Sequence, residues 1–182
     1  AACDAVGTTL EFKPPGTFEP VTDMVGGGPF ELEPGQWTDD TSMALCLAES
    51  LIERQGFDPA DQMSRYVRWW HEGHLSSTGA CFDIGGTVSS ALARFEASGE
   101  PFSGSTDPHT AGNGSIMRLA PVPLFYARDP GQAIAMSAES SRMRSRTSTP
   151  SPSGSLISSR TRSGRWSSTM PIAVCASSAV ST

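Results

Sequence analysis

The sequence predicts an all-α fold. Three observations carry that reading. Apolar residues recur at helical spacing through five segments between residues 41 and 141. No stretch shows sustained period-2 alternation, so no half-buried strand is expected. Gly99-Glu100-Pro101 ends one periodic segment and Pro130 opens another, as helix boundaries do.

The elements follow in order. Residues 1–12 open with Ala1-Ala2-Cys3-Asp4-Ala5, which reads like the interior of a helix. No initiator Met is present, so a start upstream is expected. Residues 13–37 carry Pro14, Pro15, Pro20, Pro29, Pro34 and Gly26-Gly27-Gly28, and predict a long loop of the kind that often carries function. Residues 41–54 place Met43, Leu47, Leu51 and Ile52 at helical spacing. Residues 60–72 put Met63, Val67 and Trp70 on one side of a second helix. A third runs over 81–98, from Ile84 through Val88, Leu92 and Phe95, and ends at Gly99-Glu100-Pro101. A fourth is expected over 113–127 after Gly112 and Gly114. A fifth covers 130–141 with Pro130 in its first turn.

The chain has 182 residues, 37% hydrophobic and 18% charged, which suits one globular domain. The net charge of -6 hides a division. All 19 acids lie within residues 1–141, against seven basic residues, whereas residues 142–182 hold six Arg and no acid. The acidic body argues against a nucleic-acid surface and is compatible with metal sites. Cys3, Cys46, Cys81 and Cys175 form no CxxC pair, there is no secretory leader, and no apolar run approaches about 18 residues. Free thiols, a cytoplasmic location and no membrane partner are the expectation.

The most informative stretch is Gly35-Gln-Trp-Thr-Asp-Asp-Thr-Ser-Met43. Thr38, Asp39 and Asp40 set a hydroxyl and two adjacent carboxylates at the start of a helix. Oxygen-only clusters suit hard divalent cations such as Mg2+ or Mn2+, and a cation offsets the repulsion between the acids. The alternative is helix capping, which Thr and Asp perform with no chemistry attached. A second block, Gly112-Asn-Gly-Ser-Ile-Met-Arg-Leu-Ala-Pro121, sets small residues before an apolar segment. Backbone N–H groups there could meet a phosphate at a helix N-terminus, with Asn113 and Ser115 adding polar contacts. A plain loop capped by Ser115 is the competing reading. Asp83, in Phe82-Asp-Ile-Gly-Gly-Thr87, is a general base, a group supporting a metal, or the cap of the helix behind it. Asp4 lies in an apolar helical context and needs a partner. Glu11 could reach a site as ligand or gate. His71 and His74, three apart beside Glu72, could form a zinc pair, but no third ligand is evident and an exposed helix end is preferred.

Taken in order, these blocks resemble the ADP-ribosylglycohydrolase family, which includes ADP-ribosylarginine hydrolases and the dinitrogenase-reductase-activating type. Asp4-Ala-Val-Gly-Thr-Thr-Leu-Glu-Phe12 is similar to the family's opening G-D-A-x-G-x-x-x-E-F, with Cys3 where Gly is usual. The Thr38–Asp40 segment resembles its first metal motif. Phe82–Thr87 resembles a segment that carries Asn where this chain has Gly86. Gly112–Pro121 resembles the ADP-ribose loop.

The resemblance implies a compact multi-helix fold with a two-metal cleft. It implies Thr38, Asp39, Asp40 and Glu11 at the metals and Asp39 and Asp83 in catalysis. Gly112, Asn113, Gly114, Ser115 and Met117 would bind ADP-ribose. The implied reaction is metal-dependent hydrolysis of an N- or O-glycosidic bond in an ADP-ribosylated protein or small molecule. Two ions about 4 Å apart would hold ribose hydroxyls and orient a water. An inactive ADP-ribose-binding or structural relative is the alternative.

The resemblance also implies a departure. Relatives carry a second Asp-x-Asp-Thr-like segment in their C-terminal half, and this chain has no acid after Glu139. Residues 1–141 are therefore expected to form a partial, truncated domain with impaired catalysis and an incomplete second metal site. Sixteen Ser fall between Ser137 and the C-terminus. With hydrophobic periodicity lost, residues 142–182 are expected to be a disordered tail, and they read like a frameshifted translation of a GC-rich gene.

Overall fold

A computed structural model describes residues 1–141, except 106 and 111. The expectations for 142–182, and for the domain boundary before them, lie outside the described residues. The described chain is helical throughout. It contains α1 (Ala2–Gly7), α2 (Asp39–Arg54), α3 (Pro59–Glu72), α4 (Gly86–Ser98), α5 (Gly114–Met117), α6 (Pro121–Phe125) and α7 (Pro130–Ser141), with 3-10 turns at Thr8–Leu10 and Pro108–Thr110. An isolated β-bridge joins Gly27 and Leu32 inside the long loop expected over 13–37.

Helix α2 is the centre of the packing. Its Met43, Cys46, Leu47 and Leu51 are buried with Met63, Tyr66 and Trp69 of α3, Val88 and Leu92 of α4, and Val122 of α6. The expected α2 face holds except at Ile52, which is 60% exposed. On α3, Val67 and Trp70 are only half-buried, and Tyr66 and Trp69 carry the interior contact.

Boundaries follow local chemistry. Asp58 caps α3 by accepting from the amides of Ala60 and Asp61, at 3.0 and 3.1 Å, with Pro59 at the first helical position. Gly73 ends α3 at φ +67°, where a Cβ would collide with the carbonyl of Gly79. Two expected helices are corrected. The third starts at Gly86 rather than 81, because Asp83 takes φ +58° and turns the chain out of the helix. The fourth is split into α5 and α6: Pro121 can start a helix but supplies no N–H to continue one.

The α2–α3 seam is tied by charge as well as by apolar contact. The Arg65 guanidinium, with 9% of its side chain exposed, bonds Glu49, Glu53 (2.6 Å) and Asp61 (2.6 Å). Arg54 reaches Asp61 at 2.8 Å, and His74 Nε2 lies 2.7 Å from Glu49. His71 pairs with Glu96 at 3.0 Å and stacks on Trp70. The two histidines thus have separate carboxylate partners, and the zinc-pair reading is set aside.

A carboxylate-lined candidate active site

A cleft of about 850 Å3 opens between the N-terminal segment, the start of α2, the loop before α4 and the start of α5. Its lining brings together five acids far apart in sequence: Asp4, Glu11, Asp39, Asp40 and Asp83. Thr38, Gly112, Asn113, Gly114 and Met117 line it too, whereas Ser115 does not.

The start of α2 explains how Asp39 and Asp40 are held. Thr38 occupies the N-cap position, but its side chain makes no capping bond. Asp4 supplies the cap from 34 residues away. Its carboxylate accepts from the amides of Thr38 (3.1 Å) and Thr41 (3.2 Å) and from the hydroxyls of Thr38 (2.9 Å) and Thr41 (2.7 Å). That is the partner its apolar setting demands. Thr38 and Thr41 therefore fix α1 against α2, and Asp39 and Asp40 begin the helix facing the cleft.

The other acids have no such satisfaction. Burial, then the charges of Asp83 and Asp40, pushes the Asp39 carboxyl up to about 7. Asp40 is raised by burial, then by Asp4 and Asp83, with the Ala1 amino group drawing it partly back. Asp83 is raised by burial and Asp4, and Glu11 by burial and then Asp83, Asp40 and Asp4. Among the described residues no Lys or Arg forms a salt bridge with any of these acids. The donor set fits a hard divalent cation in chemistry: oxygen only, mutually repelling and without a Lys or Arg partner among the described residues. In position the fit is looser. Among the described residues no three His, Cys, Asp or Glu side chains stand close enough to enclose one ion.

The glycines of the second motif have a packing role. A Cβ on Gly114 would meet Val88 Cγ2 at 2.9 Å, and one on Gly112 would meet Thr87 Oγ1 at 3.2 Å. They let the loop lie against the first turn of α4, and Thr87 Oγ1 donates to the Thr110 carbonyl at 3.0 Å. Helix α5 has four residues, so the expected phosphate site at a helix N-terminus is replaced by close backbone approach in a loop. Asn113 is the N-cap in position, with no side-chain capping bond, so Ser115 does not fill that role. Asp83 is likewise no cap, since Gly85 holds the N-cap position of α4.

Arg118 is the residue that sequence reading missed here. It is 1% exposed, donates from Nη1 to the Gly114 carbonyl at 2.9 Å, and lies 5.1 Å from the Tyr66 ring centroid. It anchors the loop to α3 from below. Its spacing of four residues from Gly114 is the only signal that pointed to it.

The ADP-ribosylglycohydrolase family profile matches residues 1–149. The chain belongs to the ADP-ribosylglycohydrolase family. Over 122 residues it is 53% identical to ADP-ribosylarginine hydrolase Tri1 of Serratia proteamaculans, which covers 67% of this chain and 33% of that protein. It is 35% identical over 131 residues to the ADP-ribosyl-dinitrogen reductase glycohydrolase of Rhodospirillum rubrum, covering 68% of this chain and 41% of the relative. A solved structure titled as an ADP-ribosylglycohydrolase-related protein complex superposes with a TM-score of 0.64 at 45% identity, over 78% of this chain and 45% of that one. The chain spans about a third of the length of the ADP-ribosylarginine hydrolases it matches. All five cleft acids and the Gly112–Met117 loop fall within the matched residues.

Proposed function

We propose that this cleft serves hydrolysis of an ADP-ribosyl bond, with a protein arginine as the favoured acceptor. The observation that carries the proposal is the gathering of Glu11, Asp39, Asp40 and Asp83, none salt-bridged to Lys or Arg, with the Gly112–Gly114 loop in one cleft of the family-matched sequence. Thr38, Asp39 and Asp40 would hold Mg2+ or Mn2+, with Glu11 at the rim of that site. The cation would neutralise the acids and act as a Lewis acid toward ribose oxygens or water. The chain's own residues supply the remainder. The loop of Gly112, Asn113 and Gly114, backed by Met117, receives the ADP-ribose moiety. Asp83, in the same cleft, accepts a proton from the attacking water, and Asp39 would act through the ion it holds. Attack at the anomeric carbon releases the acceptor through an oxocarbenium-like transition state.

A turnover assay on ADP-ribosyl-arginine with Mn2+ tests this. Product release by the wild-type chain, abolished in Asp39→Ala/Asp40→Ala, is the expected result. A second reading, an ADP-ribose-binding relative without turnover, is favoured by the absence of three acids close enough to enclose an ion among the described residues. Calorimetry showing ADP-ribose binding with no turnover would select it.

A further inference from the structure

The mouth of the cleft carries an aromatic feature that the chemistry above leaves unused. Phe12 lines the cleft yet is 77% exposed, and it holds φ +63°, a conformation a bulky side chain rarely adopts. An exposed aromatic ring on the lining of a cleft offers a face on which a planar or cationic ligand can stack. Phe12 does not stand alone. Its ring centroid lies 6.4 Å from that of Phe30 in an edge-on arrangement, and Phe30 lies 5.4 Å from Phe82. Phe12 is the ring of the three that lines the cleft, and Phe30 joins it to Phe82.

Each end of that series of rings adjoins an acid. Phe12 follows Glu11, and Phe82 precedes Asp83, and both acids line the cleft. Two acid–aromatic pairs, contributed by segments 71 residues apart, are thus joined through Phe30. The ligand that gains from such a rim is planar, cationic and apolar on its faces. A guanidinium has all three properties: it stacks on aromatic faces, donates in-plane to carboxylates and is weakly hydrated. A diphosphate is repelled by the acids, an ammonium lacks the plane, and an adenine carries no positive charge to meet them.

We propose that Phe12, packed edge-on against Phe30, and the carboxylates of Glu11 and Asp83 that line the same cleft form a subsite for the guanidinium of the acceptor arginine and set selectivity for arginine over lysine. Assigning the cation as an acceptor side chain rests on the hydrolase reading above; recognition of a guanidinium at the rim stands on the geometry alone.

The test therefore uses small cations that need neither ADP-ribose nor metal. The full chain is titrated with ethylguanidinium and with butylammonium, and the backbone amides of Glu11 and Asp83 are followed by NMR. A saturable response to ethylguanidinium, at least about tenfold tighter than to butylammonium, is expected. Phe12→Ala should erase that preference and Phe12→Trp should restore it. Because the ring is exposed, neither change should disturb folding, which the unchanged amide spectrum of α2 would verify. No saturable response, equal affinity for the two cations, or an undiminished preference in Phe12→Ala would each overturn the assignment. ADP-ribose calorimetry on the same samples separates the two ideas. ADP-ribose binding without guanidinium preference keeps the hydrolase reading and removes this subsite. Guanidinium preference without ADP-ribose binding keeps the subsite and removes the hydrolase reading.

Discussion

The two ends of α2 treat their acids in opposite ways. At its start, Asp39 and Asp40 join Asp83 and Glu11 with no basic side chain paired to them, and all four carboxyls are raised. In its later turns, Glu49 and Glu53 meet Arg65. Burial would raise Glu49, but hydrogen bonds from His74 and Arg65 bring it below the usual range. Across the seam, burial opposes and Arg65, Ser50 and Arg54 prevail, taking Asp61 down to about 2. The same residue type is structural where a cation is built in, and costly where none is. The molecule keeps charge strain at the cleft and relieves it at the seam, which is the pattern expected of a site that awaits a ligand.

The contrast can be broken most forcefully at Arg65. Arg65→Ala removes the shared partner of three acids, leaving Asp61 with Arg54 and Glu49 with His74, and should destabilise the chain by about 3 kcal/mol, read from urea melts. An effect under about 1 kcal/mol would mean the network is solvated and carries little.

The cleft should respond the other way, to an added cation rather than a lost one. Mn2+ at about 100 times its dissociation constant should stabilise the fold by about 2.7 kcal/mol, and Asp39→Asn/Asp40→Asn should remove that gain. An equal Mn2+ response in the double variant would place the ion elsewhere.

Asp4 links the regions, because its cap holds the start of α2 in register. Asp4→Ala should cost about 1–2 kcal/mol and weaken Mn2+ binding together, whereas Asp58→Ala, which uncaps α3, should cost stability alone. Calorimetry at two denaturant concentrations distinguishes the two outcomes.

The smallest effect is on pH. Asp39 has a raised carboxyl, so its contribution is fully present below pH 3.8 and is lost as pH rises through about 7. Asp61 has a lowered one, so its contribution is present above pH 3.8 and is lost as pH falls through about 2. The ion-free chain should therefore lose about 1 kcal/mol between pH 4 and 8, after solvent screening, and Mn2+ should flatten that decline. Thermal melts across this range with and without Mn2+ would show a parallel slope if the cleft acids were not the source.

Much of this was legible in the sequence, for reasons that differ by residue. The faces of α2 and α4 follow from helical spacing, which local sequence encodes directly. The need of Asp4 for a partner was visible, but its identity was not, because Thr38 and Thr41 lie beyond any local window. The loop before α4 was read as helix because Cys81, Phe82 and Ile84 are apolar, and nothing in their periodicity betrays the positive φ at Asp83. The glycines at 112 and 114 were read for a ligand, and their close approach to α4 is a second demand on them that no local pattern shows. The aromatic rim escaped notice because Phe12, Phe30 and Phe82 sit in three separate loops with no period to join them.

The remote cap on α2 also bears on the order of folding. A helix capped by its own N-terminal residues can begin alone, but here the capping carboxylate is 34 residues upstream. Closing a loop of that length costs about 3 kcal/mol of chain entropy before any bond rewards it. The first turn of α2 should thus form late, after its C-terminal turns have docked on α3. Asp4→Ala would then leave the refolding rate nearly unchanged and quicken unfolding, a φ-value near zero at the very turn that bears Asp39 and Asp40.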